Sequence, residues 1–250
     1  KTMPESSAPA KAILFGEHAV VYGQPAIAIP VSGLRAFAEA RPAEAQPNAA
    51  QGLRIAAADL DIPVQIDAET VDHALALTAR LVIKHLNAVP PNATIHIRSD
   101  IPIASGLGSG AAVSTALARA LLDALGCELD NETLNHLIYE VEKIHHGTPS
   151  GIDNTVIVYE RPMFFVREQP IEPLAIGAPF TLLIGDTGVG ASTREAVAGV
   201  RALHERERSR IEPVLDEIGG LVRAARRAIE RGDVEGIGQL MTRNHALLQT

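Results

Sequence analysis

Residues 102–126 read "PIASGLGSGAAVSTALARALLDALG". Glycine loses more backbone entropy on folding than any other residue, so Gly106, Gly108 and Gly110 within five positions call for a reason. The run behind them is rich in Ala and Leu and stops at Gly126, which predicts a helix through Leu125. A glycine turn feeding a helix start presents unpaired N–H groups and the positive end of the helix dipole, a natural seat for an anion. Gly106, Gly108 and Gly110 let the backbone approach that anion closely, and Ser109 adds a hydroxyl. The spacing fits neither a Walker A loop, which needs Gly-Lys-Ser/Thr, nor the dinucleotide fingerprint, which needs a βαβ context. A tight strand-to-helix turn accounts for the glycines equally well, so the loop needs support from elsewhere in the chain.

Upstream, "APAKAILF" (8–15) and "PAIAIPV" (25–31) read as short strands flanking the loop "GEHAVVYG" (16–23), and "RPAEAQPNAAQG" (41–52) reads as a loop or hairpin tip. Val71, Leu75, Leu81, Val82 and Leu86 carry helical spacing over 69–87, ended by Pro90 and Pro91. "ATIHIRS" (93–99) alternates as a half-buried strand. Downstream, a helix is predicted over 131–145 with Asn131 as N-cap. "NTVIVYE" (154–160) and "RPMFFVRE" (161–168) read as paired strands, "PFTLLIGD" (179–186) as another strand, and 192–206, 209–231 and 233 onward as helices. Strands and helices alternate irregularly, which points to an α+β fold with two lobes rather than a Rossmann sheet.

Composition narrows the function classes. The 250 residues are 46% hydrophobic but only 3% aromatic, with no Trp, so the core is built from Ala, Leu, Ile and Val. A net charge of −8 without a basic run argues against nucleic acid or an anionic membrane surface as partner. One cysteine, Cys127, excludes an internal disulfide framework and suits a reducing compartment. No 18-residue apolar run and no signal-peptide pattern occur, so the expectation is a cytoplasmic enzyme or binding protein.

Two further stretches carry chemistry. Lys11 lies in an otherwise apolar strand, where it either points to solvent or forms an ion pair with Asp153 that also offsets charge during phosphoryl transfer. "EVEKIHHGTPSGIDNTV" (140–156) supplies Glu142 near a helix C-terminus, where the dipole disfavours a carboxylate, and Asp153 after a turn-rich approach that would pin it at the mouth of the next strand. Such an Asp either accepts a proton or serves the turn. His145 and His146 point in different directions on a helix and lack a suitably spaced third ligand, so they do not form a zinc site.

Taken together, "KAILFGEHAVVYG" (11–23), "PIASGLGSGAA" (102–112) and "HHGTPSGIDN" (145–154) resemble, in order and spacing, the GHMP kinase superfamily, and within it the mevalonate kinases. The resemblance spans essentially the whole chain. It implies a two-lobed GHMP kinase fold, with an N-terminal lobe of the ribosomal protein S5 domain 2-like type over 1–165 and a C-terminal α/β lobe over 166–250. It implies ATP-dependent phosphorylation of mevalonate at its 5-hydroxyl, with Mg²⁺ accompanying ATP and a possible homodimer. Pro102, Ile103, Ala104, Ser105, Gly106, Leu107, Gly108, Ser109, Gly110, Ala111 and Ala112 match the nucleotide phosphate loop. Ser109 and Glu142 match the metal ligands, Asp153 the general base, and Lys11 the lysine beside it. Glu17 and His18 fall where the family holds the substrate, and Thr187 in "GDTGVGASTREAV" resembles a residue placed near substrate and phosphate. Ser192 or Thr193 in the same stretch would serve instead as a helix cap.

The chain departs from the family pattern at two points. Gly110 stands where many relatives carry a serine, which removes a hydroxyl but leaves the backbone cradle. The family's C-terminal glycine-rich segment, resembling "GAGGGG", does not appear before the chain ends at "RNHALLQT" (243–250), so the expectation is a sequence cut short that would lack a supporting loop. The readings weighed against a mevalonate kinase are another kinase of the superfamily, such as a phosphomevalonate kinase, a decarboxylase of diphosphorylated mevalonate, and a non-catalytic relative. A phosphorylated substrate should need extra cations, for which the early segments offer only Lys11 and Arg35.

Overall fold

The computed structural model of the chain describes residues 5–42, 52–57, 66–67, 73–146, 149–188 and 193–250. The expected α+β class is observed. Strand β1 (Ser6–Phe15) leads through a short 3₁₀ turn (Ala19–Tyr22) into the 17-residue strand β2 (Ala26–Pro42). Strands β3 (Leu53–Ala56) and β4 (Ile66–Asp67) precede helix α1 (Ala74–Leu86), and strand β5 (Ala93–Ser99) precedes helix α2 (Ser109–Leu125). Helices α3 (Asn131–His146) and α4 (Ile152–Tyr159) come next, followed by strands β6 (Met163–Phe165) and β7 (Glu172–Pro173) and helices α5 (Thr193–Arg206), α6 (Arg208–Arg231) and α7 (Val234–Leu248).

The seven strands form one sheet in the order β4-β3-β5-β2-β6-β7, with β1 also paired to β2. Among the described residues only the β3–β5 pairing is parallel. β2 is long enough to hold β1 along its length, β6 at Ala26–Ala28 and β5 at Ala36–Pro42. Alternation on β2 and β5 buries Ala36, Ala38, Ala40, Ile95 and Ile97 against α1, α2 and α3. The small alanines let α2 lie close on the sheet, and its Ala112, Ala116, Leu117, Ala120 and Leu121 are all but fully buried there. A second apolar cluster joins Phe15, Ile27 and Phe164 to Ile211, Leu215, Ile218 and Val222 of α6 and Ile237 of α7.

A polar knot fastens α2 to the strands. Arg35 reaches both carboxylate oxygens of Glu160 at 3.2 and 3.1 Å, and Arg119 Nη1 donates to Glu160 Oε1 at 2.6 Å and to the Ser7 carbonyl at 2.7 Å. Arg35 is therefore committed to a structural pair and is not a spare cation for a substrate phosphate, which narrows the reading made from the sequence.

Several sequence expectations are corrected. Residues 154–160 are not a strand: they lie in α4 and its C-cap. The run Thr155-Val156-Ile157-Val158 is buried on every side, so it shows no helical stripe, and its β-branched residues mimic a strand. Tertiary contacts hold the helix instead. Thr155 Oγ1 accepts from Asn135 Nδ2 on α3 at 3.2 Å, and Asn154 Nδ2 donates to Asn135 Oδ1 at 2.6 Å. β6 accordingly pairs with β2 and β7. Residues 179–186 form no strand either; the stretch has no regular secondary structure, and Leu183 and Ile184 are exposed.

The N-cap of α3 is Asp130, not Asn131. The Asp130 side chain accepts from Thr133 N at 2.7 Å and its carbonyl accepts from Leu134 N, and those amide bonds hold its carboxyl below the usual range. α1 begins at Ala74, where His73 Nδ1 accepts from Leu75 N; 68–72, the start expected for this helix, lie outside the described residues. Arg41 and Pro42 belong to β2, paired with Thr94 and Ala93, while 43–51 of the expected loop are also outside them. Ser192 and the side chains of His145, His146 and Thr193 are likewise not described.

Candidate active site

Lys11 organises the centre through all of its parts. Its backbone N–H leaves the strand ladder to donate to the Leu107 carbonyl at 3.0 Å, which stitches β1 to the glycine loop. Its methylene stem runs beneath Gly108: a Cβ built on Gly108 would stand 2.9 Å from Lys11 Cγ and 3.1 Å from Cε. Its ammonium then lies 3.0 Å from Asp153 Oδ1. The side chain is 7% exposed, against 28% for Asp153, so the cation is sealed in while the carboxylate keeps one side open. A sealed ammonium needs its partner, because an unpaired charge away from water is strongly disfavoured.

Asp153 is placed by α4 and not by a strand mouth, which corrects the expectation. Gly151 takes a left-handed conformation as N-cap, and Asp153 falls in the first turn, where the positive end of the helix favours a carboxylate. One turn on, Ile157 Cδ1 would meet the same Gly108 Cβ at 3.0 Å, so α4 and the loop are in register around Lys11.

The loop itself is anchored by buried Ile101 and by Ser105 Oγ, which donates to the Pro102 carbonyl at 2.8 Å. Pro102, Ile103, Ala104, Gly106 and Gly110 are exposed, Leu107, Gly108 and Ser109 partly so, and Ala111 and Ala112 are buried at the start of α2. Glu142 is 3% exposed on α3, and its carboxylate faces the start of α2: a Cβ on Gly110 would be 3.7 Å from Glu142 Oε1. The positive end of α2 thus offsets the unfavourable position of this carboxylate in its own helix. A serine hydroxyl and a carboxylate beside the glycine loop are the oxygen donors a hard divalent cation prefers. No group of three or more His, Cys, Asp or Glu that could hold a metal occurs among the described residues.

Glu17 and His18 lie on the turn after β1, partly buried, with His18 at φ 63°. Glu17 Oε2 accepts from Asn244 Nδ2 of α7 at 3.0 Å. Thr187 is exposed, in irregular chain. Asn244 escaped the sequence reading although a signal existed. Buried Ile237 and partly buried Leu240, Met241, Leu247 and Leu248 mark the apolar stripe of α7, and Asn244 is the polar residue set into it.

Residues 73–161 match the family model for the GHMP kinases N terminal domain, which sets the class of this fold and its glycine loop. The mevalonate kinase of Thermococcus gammatolerans is 36% identical over 264 residues, covering 97% of this chain and 76% of the relative. Among solved structures, the crystal structure of L. major mevalonate kinase in complex with R-mevalonate superposes with a TM-score of 0.76 at 27% identity, covering 100% of this chain and 76% of that one. The mevalonate kinase of Methanococcus jannaschii shares the fold, with a TM-score of 0.76 at 22% identity over 99% of this chain and 78% of that chain. The chain belongs to the mevalonate kinase family of GHMP kinases. No helix among the described residues is long and apolar enough to cross a membrane.

Proposed function

We propose that this chain transfers the γ-phosphoryl group of ATP to the 5-hydroxyl of (R)-mevalonate. The observation that carries the reading is the convergence of the Lys11–Asp153 pair with the glycine loop, together with family membership. The transition state of phosphoryl transfer is loose, so catalysis rests on positioning and on neutralising charge. Amides of the 106–110 loop and the start of α2 hold phosphate oxygens. Asp153, open on one side, aligns the hydroxyl and takes its proton as the bond to phosphorus forms. Lys11 fixes Asp153 and offsets negative charge nearby. Glu17 and His18 hold the hydroxyl and carboxylate end of mevalonate, and Thr187 joins them from the run before α5.

Ser109 and Glu142 would hold Mg²⁺, and their oxygen donors beside the cradle fit it. Bound there, the ion would neutralise charge on the phosphate oxygens of ATP. Ser109→Ala and Glu142→Gln should each raise the Mg²⁺ concentration for half-maximal rate by about tenfold, in the range for weakening a metal site. Titrations that overlay the wild type would remove both residues from the metal site.

Separate coupled assays of ADP release with mevalonate, phosphomevalonate and galactose test the substrate. Turnover on mevalonate alone is expected. With Arg35 committed to Glu160, a phosphorylated acid finds no cation there, and preferential turnover of phosphomevalonate would overturn the assignment.

A further inference from the structure

The turn carrying Glu17 and His18 is gripped by the C-terminal helices at three places. The Tyr22 ring lies 4.7 Å from that of His204 on α5, Gln24 Nε2 donates to Asp216 Oδ1 on α6 at 2.7 Å, and Asn244 Nδ2 on α7 donates to Glu17 Oε2 at 3.0 Å. The third contact differs in kind, because it ends on a residue given a substrate role in the proposed function and joins positions 227 residues apart.

Asn244 is 2% exposed within the apolar stripe of α7. A carboxylate only accepts hydrogen bonds, so the amide must turn its nitrogen to Glu17. That orientation leaves Asn244 Oδ1 buried without a donor. A buried acceptor left unmade is unfavourable, and Leu or Met at this position would pack the stripe without that loss. The position thus carries a polar group at a cost to packing, and among the described residues its side-chain hydrogen bond goes to Glu17.

We infer that Asn244 is a positioning residue for the substrate. By holding Oε2 it fixes the Glu17 carboxylate, so that the other oxygen is presented in one orientation to a hydroxyl of the acid substrate. α7 thereby takes part in substrate recognition without touching the substrate. The inference rests on the substrate role of Glu17 in the reading above.

The test uses the full chain and Asn244→Leu, which continues the apolar stripe and should leave the thermal midpoint equal or higher. Mevalonate binding by calorimetry and KM for mevalonate should weaken about tenfold, the scale of a lost hydrogen bond to a charged group, while KM for ATP stays within about twofold. Glu17→Ala should show a similar loss, and the double variant no further loss, since the two side chains act as one unit. Unchanged mevalonate affinity in a folded Asn244→Leu, equal weakening toward ATP, or additive losses in the double variant would each overturn the inference. Should Leu prevent folding, Asn244→Ser is read against the same criteria. A wild-type chain that binds no mevalonate overturns the functional reading and this inference with it, whereas a wild type that binds, with variants that bind equally, overturns only the inference.

Discussion

Asp153→Asn should lower kcat by about 1,000-fold, within the range for loss of a general base, while ATP affinity stays within about twofold. The two effects separate because of what asparagine preserves. Its amide oxygen can still accept from Lys11, whose ammonium now sits 3.0 Å from Asp153 Oδ1, so the sealed cation keeps a neutral partner. Its size leaves the first turn of α4 and the packing of Ile157 beneath Gly108 undisturbed. What disappears is the capacity to take a proton. Because Asp153 is more than a quarter exposed, the stability lost with its charge should be only about 1 kcal/mol, nearer an exposed pair than a fully buried one. Steady-state kinetics beside nucleotide titration check this, and near-normal turnover in a folded variant would dismiss Asp153 as the base.

Gly108→Ala should reduce kcat/KM about 100-fold, the scale of loss when reacting groups are misplaced by roughly 1 Å. Gly108 sits at φ +75°, where an alanine is strained, and the added methyl would stand 2.9–3.1 Å from Lys11 Cγ, Lys11 Cε and Ile157 Cδ1. A free lysine stem would swing aside. This one is held at both ends, by its amide on Leu107 and its ammonium on Asp153, so relief must displace the loop or break the pair. Gly106→Ala is the matched control. Gly106 has nearly the same φ, +76°, but its Cβ would meet nothing within 4 Å. The control therefore carries backbone strain of about 1–3 kcal/mol without the crowding. Equal losses in the two variants would show that strain, not contact with Lys11, sets the effect.

The candidate site divides into legible and hidden parts for physical reasons. The glycine loop stood out because three glycines in five positions need a reason, which the resemblance of three motifs together supplied, and Lys11 because a lysine in an apolar strand either faces solvent or pairs with a carboxylate. The setting of Asp153 was misread. A short helix buried on all sides carries no amphipathic stripe, and its Val and Ile run obeys strand propensity until the contacts of Asn154 and Thr155 override it. The expected strand over 179–186 failed for a related reason: an apolar run describes a residue pattern, but a strand exists only where a neighbour takes its hydrogen bonds.

From its residues alone this chain determined its strongly periodic helices, the glycine turn at the head of α2 and the chemical types available to a phosphoryl-transfer centre. These are local matters, set by propensity and by the entropy and sterics of glycine over a few residues. The family resemblance already set Lys11 beside Asp153 and Glu142 beside Ser109; only the tertiary structure decided how they meet, across 142 positions for the first pair and at the start of α2 for Glu142, and that Glu17 meets Asn244. Such meetings depend on how the sheet and helices pack, and burial sets their partners, which no local spacing encodes.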